Sequence, residues 1–144
     1  AAWALPPMVA RGRGGFVVTS SGSALAGTGG VALYSATKAF VLNLAEALAW
    51  ELRDTGVVAQ ALIGPSMATP MFLSRPVAQD RMGAPIVEPR SVVAAALDSL
   101  ATDGAPACWL PDEGLEFMNS IDRREGSTII SDATTAMYPT IFSG

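Results

Sequence analysis

The chain has 144 residues, half of them hydrophobic and 15% charged, and its 9 basic and 13 acidic residues give a formal net charge of -4. This length fits one domain, residues 1–144. The apolar share excludes a disordered chain, and the acidic balance offers no general attraction to nucleic acid or anionic lipid. With no histidine and a single cysteine, Cys108, the chain has no internal disulfide, no histidine-based triad and no cluster suited to a metal, so metal ligands are expected to be none.

No apolar run has membrane-spanning length, and the opening AAWALPPMVARGR lacks a signal peptide's basic start and apolar core, so a cytoplasmic protein without a membrane partner is expected. The first residue is Ala1 rather than methionine, which leaves processing or a longer parent chain open. Ala1 to Val9 reads as the tail of a helix or an irregular arm broken by Pro6 and Pro7. Arg11 and Arg13 flank a glycine and read as a solvated loop. Phe16 to Ser21, FVVTSS, is a short run with β-branched residues that predicts a buried strand, and Ser21 to Gly30 carries too much glycine and serine for a regular element.

From Leu33 or Tyr34 through Arg53 the spacing predicts the longest helix, with Tyr34, Phe40, Val41, Leu44, Ala45, Leu48 and Leu52 repeating at helical period and Asp54-Thr55-Gly56 as the stop. Val57 to Ile63 predicts a second apolar strand ended by Gly64-Pro65. An excursion with several prolines follows from Ser66 to Pro89, with a short helix around Pro70 to Leu73. Ser91 to Leu100 predicts a helix capped by Ser91, and Ala107 to Pro111 a third strand. Residues 112–144 read as a tail packing on the rest, with a helix near Leu115 to Ile121 and otherwise irregular or extended structure. Apolar strands alternating with helices predict an α/β fold: a partial Rossmann-like parallel sheet of about three strands, flanked by helices and with an unpaired edge.

Tyr34 and Lys38 stand four apart in YSATKAF, so on a helix they share a face. An ammonium beside a phenol favours the phenolate, which suits a tyrosine to general acid or base work. Taken alone, such a pair fits a solvated helix tip as well. Its setting points further: Ser20, Ser21 and Ser23 lie where the first strand ends, and Gly64, Pro65, Ser66 and Thr69 follow the end of the second. Ligands of open parallel sheets bind at that rim. Ser21 reads equally as a loop cap, and Thr69 as the cap of the short helix. Met67, Met71, Phe72 and Leu73 read either as an apolar lid or as core contacts, and Glu88, Asp98, Asp112, Glu113 and Asp122 as solvated charges and caps.

The stretch GGFVVTSSGSALAGTGGVALYSATKAFVLNLAEALAWELRDTGVVAQALIGPSMATPMF resembles the catalytic half of the short-chain dehydrogenase/reductase family, especially its classical members. The similarity begins around Gly15, is strongest through Phe72 and continues weakly from Ser91 to Pro111. Tyr34-x-x-x-Lys38 matches the family's signature, and Ser21, thirteen residues before Tyr34, falls at its catalytic serine. The resemblance implies NAD or NADP as hydride carrier, Tyr34 as acid or base, Lys38 holding the nicotinamide ribose, Ser21 bonding the substrate oxygen, Thr69 near the carboxamide, and Gly64, Pro65 and Ser66 among the cofactor-binding residues.

Two departures accompany it. Gly64-Pro65 reverses the family's order of proline and glycine. There is also no glycine-rich turn from a strand into a helix, since Gly12, Gly14 and Gly15 precede a strand. The resemblance is therefore to the family's C-terminal catalytic half only, lacking the N-terminal dinucleotide-binding half. Three readings follow: an oxidoreductase interconverting a small hydrophobic alcohol and ketone, as a homo-oligomer or with a missing N-terminal segment; a non-catalytic half-domain acting as an oligomerisation or binding module; and a cofactor-independent enzyme using Ser21 and Tyr34.

Overall fold

The computed structural model describes residues 1–102 and 105–139. The two apolar runs form β1 (Gly14–Ser21) and β2 (Val57–Gly64), paired in parallel from Gly14 opposite Val57 to Ser21 opposite Gly64. β3 (Cys108–Trp109) adds two residues on the far side of β2, giving an open sheet in the order β1-β2-β3. All of β2 except Val58 is buried, as befits a central strand covered on both faces. β1 is an edge: among the described residues no strand pairs with its other side.

Helix α2 (Ala32–Leu52) connects β1 to β2 and buries Ser35, Leu42, Ala45, Leu48 and Leu52. The inward stripe therefore runs through Leu42, while Phe40, expected inside, is 67% exposed. Gly56 closes the turn into β2 at φ 73, a conformation that strains any residue with a side chain, and an added Cβ would overlap the Gly12 carbonyl.

Two buried clusters cover the sheet's α2 face. Ala24, Leu25, Leu42, Ala45, Ala61 and Ile63 form one, and Leu5, Leu48, Leu52, Val57 and Ala59 the other. Each fully buried leucine or isoleucine there contributes about 1.5–3 kcal/mol relative to its exposed state. On the opposite face α4 (Pro89–Leu100) seats Val92 and Ala96 against Leu62. Gln60 is the polar exception inside β2: fully buried, it donates through Nε2 to Ser99 Oγ at 3.1 Å and to the Pro106 carbonyl at 3.0 Å. A buried amide is tolerated when so paired, and here it fastens the connection from α4 to β3.

Several boundaries differ from those expected. Pro6 and Pro7 do not break an arm; they sit in the first turn of α1 (Leu5–Ala10), where the missing N–H groups have no intrahelical partner to lose. Ser91 does not cap α4. The helix starts at Pro89, and the Ser91 hydroxyl instead donates back to the Glu88 carbonyl at 2.8 Å. The short helix α3 (Pro70–Leu73) forms where expected.

Beyond Pro111 the chain is more helical than its composition suggests, with α5 (Glu113–Ser120) and α6 (Arg123–Met137). Asp112 and Asp122 are their N-caps, accepting the amides of Leu115 at 2.9 Å and of Arg124 at 2.8 Å. The end of the expected tail, 140–144, lies outside the described residues. Among the described residues no helix is long and apolar enough to cross a membrane.

Candidate functional site

The carboxyl ends of β1 and β2 lie side by side, because Ser21 and Gly64 are register partners. Immediately after Ser21 the chain tightens into a 3-10 turn, Gly22–Ala24, whose N-cap is Ser21 itself: its Oγ accepts the Ser23 amide at 3.3 Å. The following loop enters α2 at Ala32, placing Tyr34 and Lys38 in the first two turns of that helix.

Two bonds lock these turns to the strand end. Ser20, 3% exposed, donates through Oγ to the Lys38 backbone carbonyl at 2.8 Å. Lys38 Nζ reaches back to the Thr19 carbonyl at 3.0 Å and lies 5.6 Å from the Tyr34 ring centroid. The ammonium is thus anchored beside the phenol rather than free to swing. Two of its three donors remain for other groups. Tyr34 is 48% exposed, and its hydroxyl makes no hydrogen bond among the described residues. The result is an open rim with one acceptor-capable phenol, one fixed cation and one serine at a strand terminus.

The residues after β2 are drawn differently. Gly64 is the buried last residue of the central strand, where Met67 Cε and the Ser20 carbonyl stand 3.2 and 3.4 Å from the position of an added Cβ. Met67 bridges Val87, while the Val87 amide donates to the Ser66 carbonyl at 3.0 Å and the Ala68 amide to the Val87 carbonyl at 2.9 Å. This short zipper holds the path from Pro65 to Thr69 against the end of the excursion. The Thr69 hydroxyl accepts the Phe72 amide at 3.2 Å and so caps α3. Met67 packs with Leu62 and Val92, whereas Met71 and Leu73 are 68% and 52% exposed.

Three features had no place in the sequence reading. Ser35, inside YSATKAF, is 4% exposed; it donates to the carbonyls of Ser23 at 2.7 Å and Ala26 at 3.2 Å and accepts the Thr28 amide at 3.2 Å. A serine within the first turns of an otherwise apolar helix, past the cap position, was the available signal, because a hydroxyl there competes with helical bonding unless it has an outside partner. Helix α6 covers the same loop from the other side: Arg123 Nη1 donates to the Leu25 carbonyl at 3.2 Å, and Ser131 Oγ accepts the Gly29 amide at 2.8 Å. Between loop, α2 and α6 a cleft of about 370 Å³ is lined by Ala26, Thr28, Ala36 and Arg123 among others, and by none of Ser21, Tyr34 and Lys38. No group of three His, Cys, Asp or Glu side chains gathers among the described residues.

An open three-stranded parallel sheet flanked by helices defines a Rossmann-like arrangement in partial form. The family model of short chain dehydrogenases matches residues 1–79, and the chain belongs to that family. The match occupies the N-terminal half of this chain and takes in α1, which is packed into the core through Leu5. It thereby corrects the expectation of a C-terminal catalytic half alone, with similarity starting only near Gly15.

Among curated proteins, mouse (Mus musculus) 17-beta-hydroxysteroid dehydrogenase type 3 is 43% identical over 67 residues, 46% of this chain and 22% of that protein. The oxidoreductase asL5 of Sarocladium schorii is 39% identical over 66 residues, 46% of this chain and 26% of that protein. A short-chain dehydrogenase from Streptomyces avermitilis shares the fold at TM-score 0.62 and 23% identity, covering 90% of this chain and 52% of that one. A 7beta-hydroxysteroid dehydrogenase structure does so at TM-score 0.67 and 22% identity, covering 88% and 49%. The chain thus spans about a quarter of the length of these curated relatives and about half of these solved chains.

Proposed function

We propose that this chain carries the acid–base machinery of an NAD- or NADP-dependent oxidoreductase that interconverts a hydrophobic secondary alcohol and its ketone. The observation that carries the reading is the anchored pair: Lys38 Nζ bonded to the Thr19 carbonyl and 5.6 Å from the Tyr34 ring, on the rim where β1 ends at Ser21. In ketone reduction the Tyr34 hydroxyl gives its proton to the carbonyl oxygen; in alcohol oxidation the phenolate takes the hydroxyl proton. Lys38 steadies the negative charge on the phenolate, and Ser21 Oγ hydrogen-bonds the substrate oxygen and orients it toward Tyr34.

The donor set supports a dinucleotide's nicotinamide end. The two remaining N–H groups of Lys38 suit ribose hydroxyls, and the backbone from Gly64, Pro65 and Ser66 to Thr69 borders the same rim. When bound, the dinucleotide supplies or accepts the hydride. The name of the mouse relative, together with the exposed apolar side chains of Met71 and Leu73 on the helix after Thr69, favours an apolar substrate such as a steroid ketone.

The test is turnover of a 17-ketosteroid with NADH and with NADPH. Tyr34→Phe is expected to lower kcat about 100-fold or more while leaving the circular dichroism spectrum and Tm unchanged. Tyr34→Phe retaining wild-type turnover, or a wild-type chain of verified mass that binds neither cofactor, defeats the reading.

The second reading, an assembly or binding module, draws support from the outer face of α2. Leu33 and Phe40, seven residues apart, are 81% and 67% exposed, and Trp50 is 67% exposed further along the helix. A second copy of the chain is the proposed occupant. Sedimentation at increasing concentration distinguishes the two: Phe40→Glu shifting a dimer to monomer without loss of turnover separates assembly from catalysis.

A further inference from the structure

We infer that Ser35 is a positioning residue for the site just proposed, holding the turn that carries Ser21 at a set place relative to Tyr34; the inference rests on that functional reading. Ser35 follows Tyr34 on α2, so it points about 100° away from the phenol, into the protein, where it is 4% exposed. The loop it meets, Gly22 to Val31, contains Gly22, Gly27, Gly29 and Gly30 and has no strand partner, so its backbone groups need partners from side chains.

One hydroxyl meets three of them. Its single proton is shared by the carbonyls of Ser23 and Ala26, and a lone pair receives the Thr28 amide. The decisive link is Ser23. Its carbonyl is held by Ser35 while its own amide donates to Ser21 Oγ, so the chain of contact runs from α2 through one residue to the serine at the strand end. The outer clasp supplied by α6 touches Leu25, Gly27 and Gly29 and reaches neither Ser23 nor Ser21. Among the described residues Ser35 therefore supplies the side-chain hydrogen bond that couples the helix bearing Tyr34 to the Ser23 peptides of the turn bearing Ser21. Alanine would suit the helix better; the hydroxyl is explained by the loop.

The experiment compares Ser35→Ala, Ser35→Thr, Ser21→Ala and the double variant Ser21→Ala/Ser35→Ala of the full chain, by amide exchange in NMR and by steady-state kinetics on a 17-ketosteroid. Ser35→Ala is expected to speed exchange of the Ser23 and Thr28 amides about tenfold, the equivalent of one lost buried hydrogen bond, with the β2 amides of Ala61 and Ile63 unchanged. It should also lower kcat with little change in KM, Ser35→Thr should recover most of the loss, and in the Ser21→Ala background Ser35→Ala should cost nothing more.

A Ser23 amide that exchanges at the wild-type rate in Ser35→Ala overturns the inference. An equal loss of kcat with and without the Ser21 hydroxyl does so too, since the residue would then act on the fold at large. If the wild-type chain turns over no ketone, the functional reading fails, and the Ser23 amide still decides whether Ser35 holds the Ser21 turn.

Discussion

Residues 5–64 and residues 105–139 are built on different principles. The first region joins β1 and β2 along eight register pairs and packs α1 and α2 onto them through two buried clusters. The second contributes a two-residue strand, a helix α5 with no buried residue, and a helix α6 whose buried residues are Gly126 and Thr134. What α6 has instead is contact made by polar side chains and close backbone approach: Arg123, Ser127 and Ser131 bond the loop at Leu25, Gly27 and Gly29, and an added Cβ at Gly126 would stand 3.3 Å from Ala26 Cβ. Its far end also accepts the Ala78 amide at the Met137 carbonyl, 2.9 Å away, so α6 straps the loop after β1 to the excursion after β2. One region is held by deep burial, which is cooperative, and the other by discrete bonds together with the partly buried Cys108, Leu110, Leu115 and Met118 against the first cluster. The second should therefore open first.

Ile63 gives the strongest way to break the first region. It is 0% exposed, in the central strand one residue before the candidate rim. Ile63→Ala is expected to destabilise the chain by about 2–5 kcal/mol, read as a fall in the urea midpoint with the whole transition shifted. If the transition instead splits, with the far-UV signal of α2 surviving, residues 5–64 are not the cooperative unit described above.

A smaller effect tests the second region. Asp122 caps α6 by accepting the amides of Arg124 at 2.8 Å and Glu125 at 3.4 Å. Asp122→Ala is expected to cost about 1 kcal/mol, and the loss should be local. Amide exchange should quicken across 123–137 and at Gly29, whose N–H relies on Ser131, while β2 stays protected. Uniform acceleration through β2 would show that α6 belongs to the global cooperative unit.

The same contrast explains what could be read from the residues. β1, α2 and β2 announce themselves because burial imposes apolar runs and a helical period, and YSATKAF with Ser21 at its spacing marks the rim. α6 was missed because RREGSTIISDATTAM has little apolar period and many residues of modest helix propensity. Its start was legible in Asp122 followed three residues later by Glu125, a pattern close to a capping box. The phase of α2 was misjudged at Phe40 for a different reason: an apolar residue can lie on an outward face, and periodicity alone does not say which stripe meets the sheet. Ser35 and Gln60 escaped because a buried polar side chain is justified only by partners distant in sequence, Ser23 to Thr28 for one and Ser99 and Pro106 for the other.

Cys108 sits where the two regions meet, on β3 beside β2, half-buried against the cluster of Ala61 and Ile63. Burial first, and then the nearby Glu46 carboxylate, push its thiol up from 9.0 to about 11, since both disfavour the thiolate. Unfolded chains release this proton near 9.0 and folded ones only near 11, so the folded state binds more protons between those values. The stability contributed by this group is present in full below pH 9.0, falls as pH rises toward about 11, and levels off above. Below pH 9.0, where that contribution is intact, the group is read most locally by its reactivity. Alkylation by iodoacetamide at pH 8 should be slower than for free cysteine, and Glu46→Gln should quicken it modestly by removing the second cause. Alkylation at the rate of free cysteine in the native chain would mean that β3 detaches from β2 on the reagent's timescale and opens with the rest of residues 105–139.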